Sequence, residues 1–206
     1  MISKTLSLVT LFVVAQAATN LDYSKVHLLD YKPNGNTWLF RTNLPMVDGA
    51  FAYDKLRGYM AQRAAEINVS FPSADQALKI SDFSLLNWFE EPDLLTTEQT
   101  FFKENPTLGD FSFQQIAGSL LNPNDYNEEN LRIFYILAMD NGGERLPTLM
   151  KTFYSQIHDH IPSTPTAYII HGKNGTERTG EIAGTYIGLL LVDGVQAWTG
   201  QKMAWL

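Results

Sequence analysis

The chain contains no cysteine, and that absence excludes disulfides, thiolate-held metals and every thiol nucleophile at once. A surplus of positive charge is also lacking: 15 Lys and Arg stand against 22 Asp and Glu, for a net charge of −7. Phosphate-backbone affinity comes from clustered basic side chains, and no basic run or basic-aromatic stripe occurs, so nucleic acid is excluded as a general partner. Nor is any later hydrophobic run long enough for a transmembrane segment, which takes roughly 20 apolar residues. The longest near the C-terminus, Ile182 to Val192, is interrupted by Thr185. Proline and glycine are modest at 9 and 14 residues, which excludes fibrous and low-complexity chains.

What is present is a sequence of 206 residues, 45% apolar and 12% aromatic, enough for one well-packed domain and too few for two ordinary ones. Its start reads as a secretory signal peptide over residues 1–17: a basic opening from Met1 to Lys4, an apolar run from Thr5 to Val14, and the small-x-small end Ala15-Gln16-Ala17. Cleavage is expected after Ala17, leaving residues 18–206 as a single domain, secreted or lumenal in the secretory pathway.

Within that domain, Asn36 to Pro45 reads as a strand leading into a turn. Phe51 to Ile67 has helical composition, with Leu56, Tyr59, Met60 and Arg63 spaced along one face. Ala77 to Leu86 alternates partly and predicts a strand. Asn87 to Asn130 is polar and acidic, expected to be loops with one or two helices such as Phe111 to Leu121. Leu131 to Met139 and Thr166 to Ile170 are short continuous apolar runs, the pattern of strands covered on both faces. Leu146 to His158 predicts a helix with Leu149, Phe153 and Ile157 inward, and Thr179 to Val192 another with Ile182, Tyr186, Leu189 and Leu190 inward. Strands alternating with helices predict an α/β fold, a central and mainly parallel sheet flanked by helices.

The chemistry is concentrated where the strand ending in Ile170 runs into His171-Gly172-Lys173-Asn174-Gly175-Thr176-Glu177-Arg178-Thr179-Gly180 and then into an apolar helix. Strand, glycine-bearing loop and helix N-terminus make an anion site, because successive backbone N–H groups converge beside the positive end of the helix dipole. Arg178 adds a guanidinium fork suited to phosphate or sulfate, or else forms an ion pair with Glu177, Glu181 or a distant carboxylate. A Walker-type nucleotide loop is excluded, since Glu181 follows Gly180 where a Lys is required.

In these residues the segment resembles the protein tyrosine phosphatase superfamily, in its dual-specificity-like branch. His171, Gly175, Arg178, Thr179 and Gly180 match the form HCxxGxxRTG, while Gly172 stands where the nucleophilic Cys belongs. The resemblance implies a phosphatase-like fold, here with a shortened C-terminal end, and a phosphate-binding loop made of Gly172, Lys173, Asn174, Gly175, Thr176, Glu177 and Arg178, supported by His171 and Thr179. It also implies a general acid upstream. Asp140, 32 residues before Gly172, is read as that vestigial acid or as a simple turn residue, followed by Asn141, Gly142 and Gly143. Trp38 to Pro45 (WLFRTNLP) is similar to the opening strand of such domains.

Glycine has no side chain to form a phosphoenzyme, so hydrolysis by the family route is excluded. Binding is a separate matter. A thiolate beside a phosphate dianion is a like charge that repels by about 4 kcal/mol at 4 Å in an effective dielectric of 20, so its loss leaves phosphate affinity intact or improved. The resemblance thus implies a pseudophosphatase whose partner is a phosphorylated protein, a phosphoinositide or an inositol phosphate. The alternatives are an active phosphoric monoester hydrolase working by an atypical route, and a structural relic. No cofactor and no metal are expected, His158 and His160 around Asp159 being too sparse a set. Asn68-Val69-Ser70 and Asn174-Gly175-Thr176 match the glycan-acceptor pattern, of which about one match is expected by chance in this length, and a glycan on the second would obstruct the loop itself.

Overall fold

The computed structural model describes residues 20–32, 35–116, 128–129 and 145–192. A short 3-10 turn, Tyr23–Lys25, leads into β1 (His27–Lys32) and β2 (Thr37–Thr42), then the two-residue strands β3 (Met46–Val47) and β4 (Ala50–Phe51). Helix α1 (Tyr53–Glu66), β5 (Lys79–Ser84), α2 (Pro92–Glu104), β6 (Gly109–Phe113), α3 (Leu146–His158), β7 (Thr166–His171) and α4 (Glu177–Val192) follow. The five longer strands form one sheet in the order β1-β2-β7-β5-β6. Only β1 is antiparallel to its neighbour. The chain is therefore α/β, with a mostly parallel central sheet flanked by helices.

The hydrophobic pattern explains the layering. All six residues of β7 are buried, as a strand covered by helices on both faces requires. Its odd and even positions feed two different cores. Ala167 and Ile169 join Trp38, Phe40 and Ile80 beneath Leu56, Met60 and Ala64 of α1 and Phe102 of α2. Tyr168 and Ile170 join Leu39 beneath Leu149, Met150, Phe153 and Ile157 of α3 and Ile182 and Tyr186 of α4. A smaller cluster of Leu44, Met46, Leu86 and Leu95 closes the end of the sheet where the parallel strands finish.

The expected strands at 36–45, 77–86 and 166–170 and the expected helices at 51–67, 146–158 and 179–192 are all present, with ends shifted by a few residues. On α1 the buried face is Tyr53, Leu56, Met60 and Ala64. Arg63, expected on that face, instead lies over the Tyr23 ring, 3.9 Å from its centroid, and pairs with Glu66 at 2.8 Å. The larger correction concerns Phe111 to Leu121. Phe111 to Phe113 are not helical but belong to β6, which pairs in parallel with β5 from Ile80↔Gly109 to Ser84↔Phe113. Strand pairing at the sheet edge overrides local helical composition. The expected signal peptide, the strand at Leu131 to Met139, Asp140 with Asn141 to Gly143, and the chain after Val192 lie outside the described residues. Among the described residues, no helix is long and apolar enough to cross a membrane.

Candidate functional site

The loop after β7 is stitched to the ends of both neighbouring strands. On the β5 side, the His171 carbonyl accepts the Leu85 N–H at 2.8 Å; on the β2 side, the Lys173 carbonyl accepts the Leu44 N–H at 3.1 Å. Arg41 at the end of β2 donates through Nη2 to the Gly175 carbonyl at 2.7 Å. Gly175 has φ +65°, and a Cβ there would lie 2.8 Å from both the Asn43 nitrogen and the Thr42 carbonyl oxygen. Only glycine fits that backbone-to-backbone approach. The loop then enters α4, whose Gly180 N–H donates to the Thr176 carbonyl at 2.6 Å.

Gly172 differs from Gly175. It is buried, its φ lies outside the left-handed region, and an added Cβ would meet Thr179 Oγ1 at 3.3 Å, Arg178 Cβ at 3.7 Å and Arg178 Nε at 3.8 Å. A small side chain fits after a shift of a few tenths of an ångström. The backbone does not demand glycine at this position. The Gly172 N–H is itself satisfied by Thr179 Oγ1 at 2.7 Å, so Thr179 orders the mouth of the loop.

Arg178 realises the second of its two readings. Its partner is the distant Glu91, not Glu177 or Glu181. Nη1 and Nη2 donate to Glu91 Oε2 and Oε1, both at 3.0 Å, and Nη1 also donates to the Leu85 carbonyl at 2.7 Å. Glu91 is in turn held by the Asn87 N–H at 2.7 Å. This bidentate clasp uses one edge of the guanidinium. Its Nε lies beside Gly172, 3.8 Å from where a Cβ would stand. Around it Lys173 is half-buried, while Asn174, Thr176 and Glu177 are exposed. Asp140 lies outside the described residues.

No family model, curated protein or solved structure matches this chain. The site is therefore read from its geometry alone.

Beneath the loop lies an assembly that the sequence reading missed. His171, expected to organise the loop by hydrogen bonding, is fully buried and its ring is directed into the α1/α2 side of the sheet, against two carboxylates. Its Nε2 lies 2.9 Å from Asp82 Oδ1 and 3.2 Å from Glu98 Oε1, with all three side chains fully buried. Burial pushes the Asp82 carboxyl up. Burial likewise pushes Glu98 up to about 8. For His171 burial acts downward, but the Glu98 and Asp82 carboxylates outweigh it and carry the ring up to about 9. In register with His171 on either side stand Thr42 of β2 and Ser84 of β5, both buried.

A signal for this assembly exists in the sequence. In KISDFS, Ile80, Asp82 and Ser84 share the inward face of β5, and on α2 Glu98 sits between Leu95 and Phe102 on the buried stripe. An acid at an inward position of an otherwise apolar pattern is the informative deviation. Among the described residues no other histidine joins such a set: His27 is partly buried, His158 pairs with Asp30 at 2.7 Å and His160 is exposed.

Proposed function

We propose that this protein is a phosphatase-like, nucleophile-free domain of the secretory pathway that binds a phosphorylated ligand through Gly172 to Arg178 without hydrolysing it. The observation that carries the reading is the nearness of Arg178 Nε to Gly172, 3.8 Å from where a Cβ would stand there, at the N-terminus of a 16-residue helix, while Glu91 holds both Nη groups. A guanidinium held on one side presents its remaining donors without further ordering cost. The helix dipole adds positive potential at the same point. Gly175 keeps the loop against the end of β2, where Arg41 is anchored to it.

Such a site recognises a phosphate monoester, whether on a protein, a phosphoinositide or an inositol phosphate. Hydrolysis by the thiol route has no agent here, because Gly172 carries no nucleophile and the chain has no cysteine. A second reading, a loop retained only for structure, draws on the same Arg178–Glu91 clasp, which neutralises the guanidinium.

Calorimetric titration with inorganic phosphate, phosphotyrosine and inositol hexakisphosphate separates the two. Saturable binding that weakens at least about tenfold in Arg178→Ala, with the thermal transition retained, supports the anion site. Equal heats in both proteins, or none in either, support the structural reading. Phosphate-ester turnover gained in Gly172→Cys identifies the nucleophile as the missing part; turnover by the unaltered chain that vanishes in Arg178→Ala overturns the binding-only assignment.

A further inference from the structure

We propose that Asp82, Glu98 and His171 are the ligands of one divalent first-row transition cation, held beneath the loop at the C-terminal end of the parallel strands. The proposal does not depend on phosphate binding above it.

The first argument is geometric. The Nε2–Oδ1 and Nε2–Oε1 separations are 2.9 and 3.2 Å, and one ligand atom from each residue lies within 4.8 Å of the others. Adjacent ligands on a cation with bonds of about 2.1 Å stand about 3.0 Å apart in octahedral and about 3.4 Å apart in tetrahedral coordination. Both observed spacings fall in or beside that range.

The second is the direction of these groups. His158 Nε2 and Asp30 Oδ2, 2.7 Å apart, make a hydrogen bond. His171 comes nearly as close to Asp82, yet neither ring nitrogen, neither Asp82 oxygen and neither Glu98 oxygen makes an aligned hydrogen bond. Close approach without alignment is what side chains show when they point at a shared centre and not at one another. The hydroxyls of Thr42 and Ser84, in register on either side of His171, are also buried and without an aligned hydrogen bond. They supply further oxygens at the same end of the sheet.

The third is charge. Two carboxylates and an imidazole in a region without solvent contact carry a desolvation penalty of several kcal/mol per ion unless compensated, in metal-free chain by protons kept on the cluster and in the loaded chain by a cation that displaces them. One divalent cation balances both carboxylates. A set of one imidazole nitrogen with carboxylate and hydroxyl oxygens, and no sulfur, suits zinc, manganese or ferrous iron better than copper(I) or calcium. Because the ligands are sealed, the cation enters as the chain folds and leaves as it unfolds.

The test uses the full chain, refolded from urea with zinc chloride, with manganese chloride or with a chelator, then desalted for elemental analysis. The expected result is about one cation per chain in a metal arm, retained through dialysis of the native protein against chelator and released on denaturation. Asp82→Asn and Glu98→Gln should lower that content at least about tenfold and abolish the metal-dependent rise in melting temperature. His160→Gln, at an exposed imidazole, should do neither. Less than about a tenth of an equivalent of either metal in natively folded unaltered chain overturns the proposal, and so does a cation retained equally by both variants. Should either variant fail to fold, the stoichiometry and chelator resistance of the unaltered chain decide alone.

Discussion

The two faces of the sheet each bury an aspartate beside a histidine, and they treat the pair in opposite ways. On the α3/α4 side, the carboxylate of Asp30 is 1% exposed and fully engaged. Oδ2 accepts the Tyr186 hydroxyl at 2.6 Å and pairs with His158 Nε2 at 2.7 Å, while Oδ1 accepts the Tyr31 N–H at 2.7 Å. Burial and the adjacent carboxylate together push the Tyr186 hydroxyl far up, so it stays a donor. On the α1/α2 side, Asp82 has a histidine at almost the same distance and no aligned donor at all. A buried carboxylate given three aligned donors is a structural fixture; one that faces only an unaligned imidazole keeps its oxygens open to a cation.

That contrast is most directly broken by truncation at Asp30. Asp30→Ala leaves the fully buried Tyr186 hydroxyl and the partly buried His158 ring without their partner, and should cost about 3–5 kcal/mol in urea unfolding. A cost below about 1 kcal/mol would mean that the satisfied carboxylate is no more structural than the unsatisfied one.

Glu91 sharpens the comparison, since it is a satisfied carboxylate at the same end of the sheet as the unsatisfied ones. Glu91→Gln should destabilise the chain by about 2 kcal/mol, because Arg178 loses a bidentate partner in a largely buried position. The same change should raise affinity for inorganic phosphate by severalfold, the guanidinium charge being no longer neutralised. Lower stability with unchanged or weaker phosphate binding would favour the purely structural reading of the loop.

Removing one donor from the satisfied set is milder. Tyr186→Phe should cost about 1–2 kcal/mol, as Asp30 keeps two of its three contacts.

The smallest effect is expected on the other face. In metal-free chain above about pH 9, where His171 has released its proton, Asp82→Asn should change stability by no more than about 1 kcal/mol in either direction, because it removes a buried charge that then has no charged partner. The metal-free protein should also weaken as pH rises. Glu98 and His171 at about 8 and 9 keep protons that the unfolded chain has released above its ordinary values of 4.5 and 6.5. Their contribution is fully present below those lower values and is lost as pH climbs through 8 and 9. Urea midpoints of chelator-treated chain should therefore fall between pH 6 and 9, and a rise would contradict the buried-proton arrangement.

The contrast was only half legible in the sequence. Strand β7 and helix α4 announce themselves, since a continuous apolar run between a proline-bearing turn and a glycine-bearing loop leaves few alternatives, and the loop chemistry follows from their junction. Strand β1 does not: its six residues alternate imperfectly, with a register shift between Leu28 and Asp30, and its inward Asp30 resembles a loop acid until Tyr186 and His158 arrive from far along the chain. Helix α2 hides behind threonines of low helix propensity at its centre. Strand β6 exists only because β5 offers an edge to pair with. Arg178 was legible as a charged fork, but Glu91, 87 residues earlier, was not legible as its partner, because long-range ion pairs leave no periodicity.

The clasp on Arg178 also carries a built-in optical reporter. Glu91 closes a tight turn in which the Glu90 and Glu91 N–H groups both donate to the Asn87 carbonyl, and that same turn displays Trp88, half exposed and 6.2 Å from the Phe113 ring. Trp38, by contrast, is buried, with its indole N–H bonded to the Ser70 carbonyl. Movement of Glu91 away from Arg178 disturbs the turn that carries Trp88, so the difference in emission between the unaltered chain and Trp88→Phe isolates, among four tryptophans, a reporter of the loop that needs no added label.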